Sequence, residues 1–146
     1  MPANVAFWDT SAIISLCCAQ EFSLAARRRR RQFKESVIWW ATPVEIHSGI
    51  HRLFRERLLA ENEMGNAQIV WRKFYLGSQI VKPDDDLLNL AITIPAVYNL
   101  RALDAFQLAA ALVWCGERPR NRPFVCADKR LGDAASDAGF NVVSLI

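Results

Sequence analysis

Five short apolar runs spaced by long helical patterns constrain this chain more than any other feature. NVAFW at 4–8, VIWWA at 37–41, QIVK at 79–82, PFVCA at 123–127 and NVVSL at 141–145 are rich in β-branched and aromatic residues. They show little of the polar alternation expected of a strand with one wet face. Between them, helix-like patterns cover 11–19 and 21–34, 43–60 and 63–77, 84–94 and 103–115, and finally 129–138. Buried strands separated by helices need crossover connections, which are right-handed and lay helices over both faces of a parallel sheet. The expectation is an α/β fold: a single domain over residues 1–146, with a sheet of about five strands that is mainly parallel.

Composition narrows the class. A length of 146 residues, 52% hydrophobic and 23% charged, describes one ordinary globular domain with a proper core. No apolar run approaches bilayer length, and MPANVAFWDT carries no basic stretch before its apolar part, so a cytoplasmic protein without a signal peptide is expected. Cys17, Cys18, Cys115 and Cys126 form no CxxC pair and are read as small buried hydrophobes. The net charge of +3 does not by itself select a polyanionic partner, but it is unevenly spread, with RRRRR at 27–31.

In open α/β sheets, ligands collect outside the carboxyl ends of the strands. Asp9 follows the first apolar run and Asp128 follows PFVCA. Glu45, in TPVEIHSGIHRL, and Asp104, in LRALDAFQLAAAL, stand in the first turns of helical patterns. Each acid has a local explanation. Asp9, Asp104 and Asp128 are suited to cap helices, and Thr42-x-x-Glu45 matches a capping box. Capping does not require the four to share one edge of the sheet, whereas a metal site does. Carboxylates gathered in one pocket repel one another unless some are protonated or a cation neutralises them. Mg²⁺ or Mn²⁺ suits such oxygen donors, with Thr10 and Ser11 orienting the Asp9 carboxylate, capping the helix that follows, or both.

FWDTSAI, TPVEIHSGIHRL, LRALDAFQLAAAL and FVCADKRLGDAASDAGFNVV resemble, in order and spacing, the motif blocks of PIN domains, and more narrowly those of VapC-type toxins. The resemblance covers essentially the whole chain. It implies an acidic quartet of Asp9, Glu45, Asp104 and Asp128 that binds Mg²⁺ or Mn²⁺ and cleaves single-stranded RNA, leaving a 5′-phosphate and a 3′-hydroxyl. Asp9 and Asp104 would be the principal ligands; Glu45 and Asp128 would complete the pocket, one of them positioning the attacking water. Ser11 or Thr10 matches the supporting hydroxyl. The resemblance further implies a homodimer and a small VapB-like antitoxin as partner. Gln107 stands where many relatives carry a histidine, outside the quartet. Asp128 is preferred to Asp133 and Asp137 because it directly follows the strand.

Other features have plainer readings. Arg29 falls on the same helix side as Phe22, Ala26 and Phe33, so its stem is expected to pack there and its head to emerge at a seam where RNA could meet it. His47 and His51 lack the further ligands of a zinc helix and are read as ordinary flank residues. The acidic run at 84–86 suits a helix start. Trp71 and Tyr75, a turn apart, are candidates for a dimer interface. Three other function classes compete: a non-catalytic RNA-binding or regulatory scaffold, an aspartyl phosphatase of the haloacid dehalogenase type, and a phosphorelay receiver. The phosphatase needs an acid where Ser11 stands, and the receiver needs one after VIWWA or QIVK.

Overall fold

The structure, a computed structural model, describes residues 4–146; residues 1–3, which the signal-peptide reading included, lie outside the described residues. The chain opens with β1 (Val5–Trp8), α1 (Thr10–Cys17), α2 (Ser23–Gln32) and β2 (Glu35–Trp39). It continues through α3 (Thr42–Arg55), α4 (Glu61–Leu76), β3 (Ser78–Val81), α5 (Asp85–Tyr98) and α6 (Ala102–Trp114). It closes with β4 (Pro123–Cys126), α7 (Lys129–Ala138) and β5 (Asn141–Ser144). The five strands form one sheet in the order β3-β2-β1-β4-β5, and every pairing is parallel.

Strand residues alternate between two cores. Ala6, Trp8, Ile38 and Val125 join the cluster built with α1 to α4, while Phe7, Val37, Trp39, Phe124 and Cys126 join the one built with α5 to α7. Both faces are therefore covered, which is why the strands lack a polar register. None of the described helices is long and apolar enough to cross a membrane.

The chain builds β1, β2 and β3 outward to one side, then returns to lay β4 and β5 on the other. The order reverses between β1 and β4, so their carboxyl ends flank the crevice where ligands of such sheets bind. This order also differs from the 2-1-3-4-5 arrangement of receiver-like folds.

Three elements depart from the sequence expectation. Helix α3 ends at Arg55, short of the expected 60, because the chain turns left-handed at Arg57 with φ 61°. β2 spans Glu35–Trp39, two residues earlier than the expected run at 37–41. The polar Ser36 is accommodated because its hydroxyl meets that of Ser78 on β3 at 2.7 Å, while Trp40 lies exposed beyond the strand. Helix α5 continues through Pro95 to Tyr98 instead of stopping at 94. Pro95 is on the solvent side, between the buried Ile94 and the exposed Ala96, and the helix ends only where Asn99 turns left-handed at φ 55°.

Candidate active site

The crevice between β1 and β4 is built around Asp9. Its backbone N–H donates to Val125 O on β4 at 3.3 Å, which locks the two strand ends together. The side chain caps α1, accepting from Ala12 N at 3.1 Å, and it accepts from the Ser11 hydroxyl at 2.8 Å. Ser11 in turn accepts from Ala127 N at 3.0 Å, so one hydroxyl joins the ends of both strands to the carboxylate. Cys126 lies behind it, its Sγ 3.7 Å from Asp9 Oδ2, and burial pushes its thiol far above the ordinary range. Asp128 caps α7 through Leu131 N at 2.9 Å. Both terminal aspartates thus serve as helix caps while standing at the switch point.

Glu45 and Asp104 reach the same edge from helices. α3 leaves the carboxyl end of β2, and α6 leads into β4, so the first turn of each lies at the carboxyl edge of the sheet. The capping box expected at Thr42 does not form: α3 starts at Thr42 itself, behind Ala41, with no side-chain cap. Glu45 points across the crevice instead. Thr10 Oγ1 donates to its Oε1 at 3.1 Å, and Gln107 Nε2 donates to its Oε2 at 3.1 Å. Thr42 is fully buried and accepts from the same Gln107 amide at 3.2 Å. The two hydroxyls left open by the sequence therefore divide the work: Ser11 serves Asp9 and Thr10 serves Glu45. Asp104 is not an N-cap; it stands in the first turn of α6, behind Arg101, half-buried, and among the described residues its carboxylate holds no hydrogen bond.

The electrostatics connect the four acids. Asp9 is 3% exposed, and burial, with repulsion from Asp128 and Asp104 added, raises its pKa to about 7 despite the donors from Ser11 and Ala12. Burial also raises Glu45, opposed by Gln107 and Thr10 and reinforced by Asp104. Asp104 is raised by burial and by Asp128, against the pull of Arg101 and Arg130. The one ion pair among the described residues, Lys129–Asp133 at 2.9 Å, belongs to exposed side chains on α7. No cationic side chain therefore pairs directly with Asp9 there.

This donor set fits a hard divalent cation, because it offers carboxylate and hydroxyl oxygens and a thiol too firmly protonated to compete. The acids share an edge without closing on a point: among the described residues, no three His, Cys, Asp or Glu side chains converge tightly enough to enclose an ion. Carboxylates that raise one another's proton affinity have reason to stand apart.

Several expectations are corrected. Arg29 lies in the last turn of α2, which feeds the amino end of β2, so the fold puts it at the edge of the sheet opposite the acids. Its guanidinium donates to Gln32 at 2.8 Å. Arg30 is the arginine held at a seam, 5.0 Å above the Phe74 ring and donating to the carbonyls of Phe33 and Lys34. Trp71 is buried in the core against Phe74, which leaves only Tyr75 of that pair partly exposed. His47 and His51 are exposed on α3, and all four cysteines are free and buried, as expected. The residue whose part the sequence did not disclose is Gln107, noted only as standing outside the quartet. Its signal was a single amide three residues after Asp104 in a block, LDAFQLAAAL, whose other residues are apolar.

No family model matches the sequence, and no curated protein matches it. Solved structures do match. The chain is similar to a toxin–antitoxin complex from Klebsiella pneumoniae at 17% identity and TM-score 0.65, covering 97% of this chain and 98% of that one. It is similar to VapBC2 from Rickettsia felis, solved with a DNA fragment from its promoter, at 7% identity and TM-score 0.67, covering 96% and 98%. It is also similar to PAE2754 from Pyrobaculum aerophilum at 15% identity and TM-score 0.60, covering 97% and 92%. Matched over nearly the whole of each chain, this protein has the PIN-like fold of VapBC-type toxin–antitoxin proteins.

Proposed function

We propose that this protein is a metal-dependent endoribonuclease, the VapC-type toxin of a toxin–antitoxin pair, acting on RNA in the cytoplasm. The observation that carries the proposal is the placement of Asp9, Glu45, Asp104 and Asp128, from four separate segments, at the carboxyl edge around the β1/β4 switch point, with Asp9 buried among neutral donors. Asp9 and Asp104 are the principal ligands of a Mg²⁺ or Mn²⁺ ion, and Glu45 and Asp128 complete the pocket. Bound there, the ion would supply Lewis-acid stabilisation of charge on the phosphoryl oxygen and a more acidic water. The chain does the rest: Ser11 fixes the Asp9 carboxylate, Thr10 and Gln107 fix that of Glu45, and the covered sheet keeps these groups rigid. The likeness to toxin–antitoxin complexes supports a VapB-like antitoxin as partner, and the sequence resemblance supports a homodimer.

The test is Asp9→Asn and Asp104→Asn assayed on single-stranded RNA with Mg²⁺, Mn²⁺ or chelator. Each substitution should lower cleavage by about 100-fold or more while the far-UV circular dichroism stays native. Cleavage retained by either variant refutes the site. RNA binding without cleavage in the unmodified chain would instead favour the non-catalytic scaffold.

A further inference from the structure

Gln107 lies inside the fold at 1% exposure, yet its amide nitrogen has three acceptors in reach: Thr10 Oγ1 at 3.1 Å, Thr42 Oγ1 at 3.2 Å and Glu45 Oε2 at 3.1 Å. Its orientation follows from the acceptor chemistry. An ionised carboxylate accepts only, so the face of the amide toward Glu45 must be the N–H₂ group. Thr10 spends its single hydrogen on Glu45 Oε1, so toward Gln107 it can only accept. The consequence is that, among the described residues, Gln107 Oε1 is left buried without a partner. An orphaned buried carbonyl destabilises a fold and calls for an explanation.

Glu45 supplies that explanation. It receives one donor on each oxygen, from two different helices, before any ligand arrives. Asp104 has no such donor among the described residues, and Asp128 uses Oδ1 as a helix cap. Two kinds of carboxylate therefore share the rim: one aimed by the protein, and others with oxygens open to the crevice. We propose that Gln107 is a positioning residue of the nuclease reaction, holding Glu45 in the orientation from which its remaining lone pairs receive the attacking water. This rests on the nuclease function proposed above, and it assigns the water-positioning role to Glu45 in preference to Asp128.

The experiment compares Gln107→Leu with Gln107→His on single-stranded RNA, and measures Mn²⁺ binding separately by calorimetry. Leucine keeps the bulk and removes the donor; the histidine ring restores one N–H. The leucine variant should lose about tenfold or more in kcat, with KM and Mn²⁺ affinity within about threefold of the unmodified chain, and histidine should recover most of the loss. Equal kcat in the leucine variant overturns the proposal. So does an equal loss in both variants, which marks a merely structural amide, or a parallel loss of Mn²⁺ affinity, which makes Glu45 a metal ligand instead of the residue that receives the water. If the leucine variant does not fold, Thr10→Val removes the other donor to Glu45 and must show the same selective loss of kcat; unchanged turnover there overturns the proposal. An unmodified chain that cuts no RNA overturns the nuclease function and this role together, whereas an active chain indifferent to Gln107 overturns only the latter.

Discussion

The two edges of the sheet both draw charge out of water, and they do so in opposite ways. At the amino edge, Arg30 is half-buried, but the Phe74 ring and the carbonyls of Phe33 and Lys34 surround its guanidinium. Burial lowers its pKa, yet its donors have fixed partners and nothing further is needed. At the carboxyl edge, Asp9 is more deeply buried and has only neutral donors, and its nearest charged neighbours are further acids. The amino edge is a finished piece of structure. At the carboxyl edge Arg101 and Arg130 temper Asp104 without an ion pair, and none reaches Asp9 among the described residues, which suits a cation-dependent site. A cluster of like charges inside a fold is thus informative when the fold itself does not neutralise it, and a cluster of arginines in the sequence is not when the backbone already occupies them.

The largest effect that tests this contrast is at Asp9. With its pKa raised to about 7, Asp9 keeps its proton in the folded chain while the unfolded chain, titrating near the ordinary value of 3.8, has lost it. It contributes nothing below about pH 4, destabilises progressively up to about pH 7, and levels off above. Without divalent cation, thermal stability should fall between about pH 4 and pH 7, on the order of 2–4 kcal/mol in total, and Asp9→Asn should flatten the fall. Added Mn²⁺ at pH 7.5 should raise the melting temperature of the unmodified chain and leave that of Asp9→Asn nearly unmoved. A flat profile in the unmodified chain would remove the contrast.

Arg30→Ala should act in the other direction, lowering stability by about 1–2 kcal/mol through the lost carbonyl bonds and ring contact, with RNA cleavage unchanged in urea-titrated, fully folded protein. A cleavage defect there would mean the amino edge also meets substrate. Arg29→Ala is the smallest: a change within about 0.5 kcal/mol and no effect on cleavage, since its one bond is to exposed Gln32.

The sheet and its helices were legible because burial on both faces writes uninterrupted apolar runs, and five runs became five strands. Boundaries were less legible where a tertiary contact overrode local pattern. Ser36 belongs to β2 only because Ser78 answers it from a neighbouring strand, and α5 outlasts Pro95 because the ring faces solvent. The carboxyl edge as a meeting place for Asp9 and Asp128 followed from strand ends. The partner of Glu45 did not, because the local motif at Thr42 pointed to a cap while the true donors lie 35 and 62 residues away. Arg29 shows the same limit: helical spacing gives a side of a helix, but only the topology says which edge of the sheet that helix reaches.

The double employment of Asp9 has a consequence for how such a chain could age. Its carboxylate begins a helix and meets, through Ser11, the end of the neighbouring strand, so a descendant that had abandoned chemistry would still need an acceptor there, which aspartate or asparagine supplies. Asp104 carries no such structural duty among the described residues, so it is the letter that would vanish first from a silenced copy. Among distant cousins of this protein, the fate of that one position would separate working enzymes from relics more sharply than the aspartate at the end of the first strand.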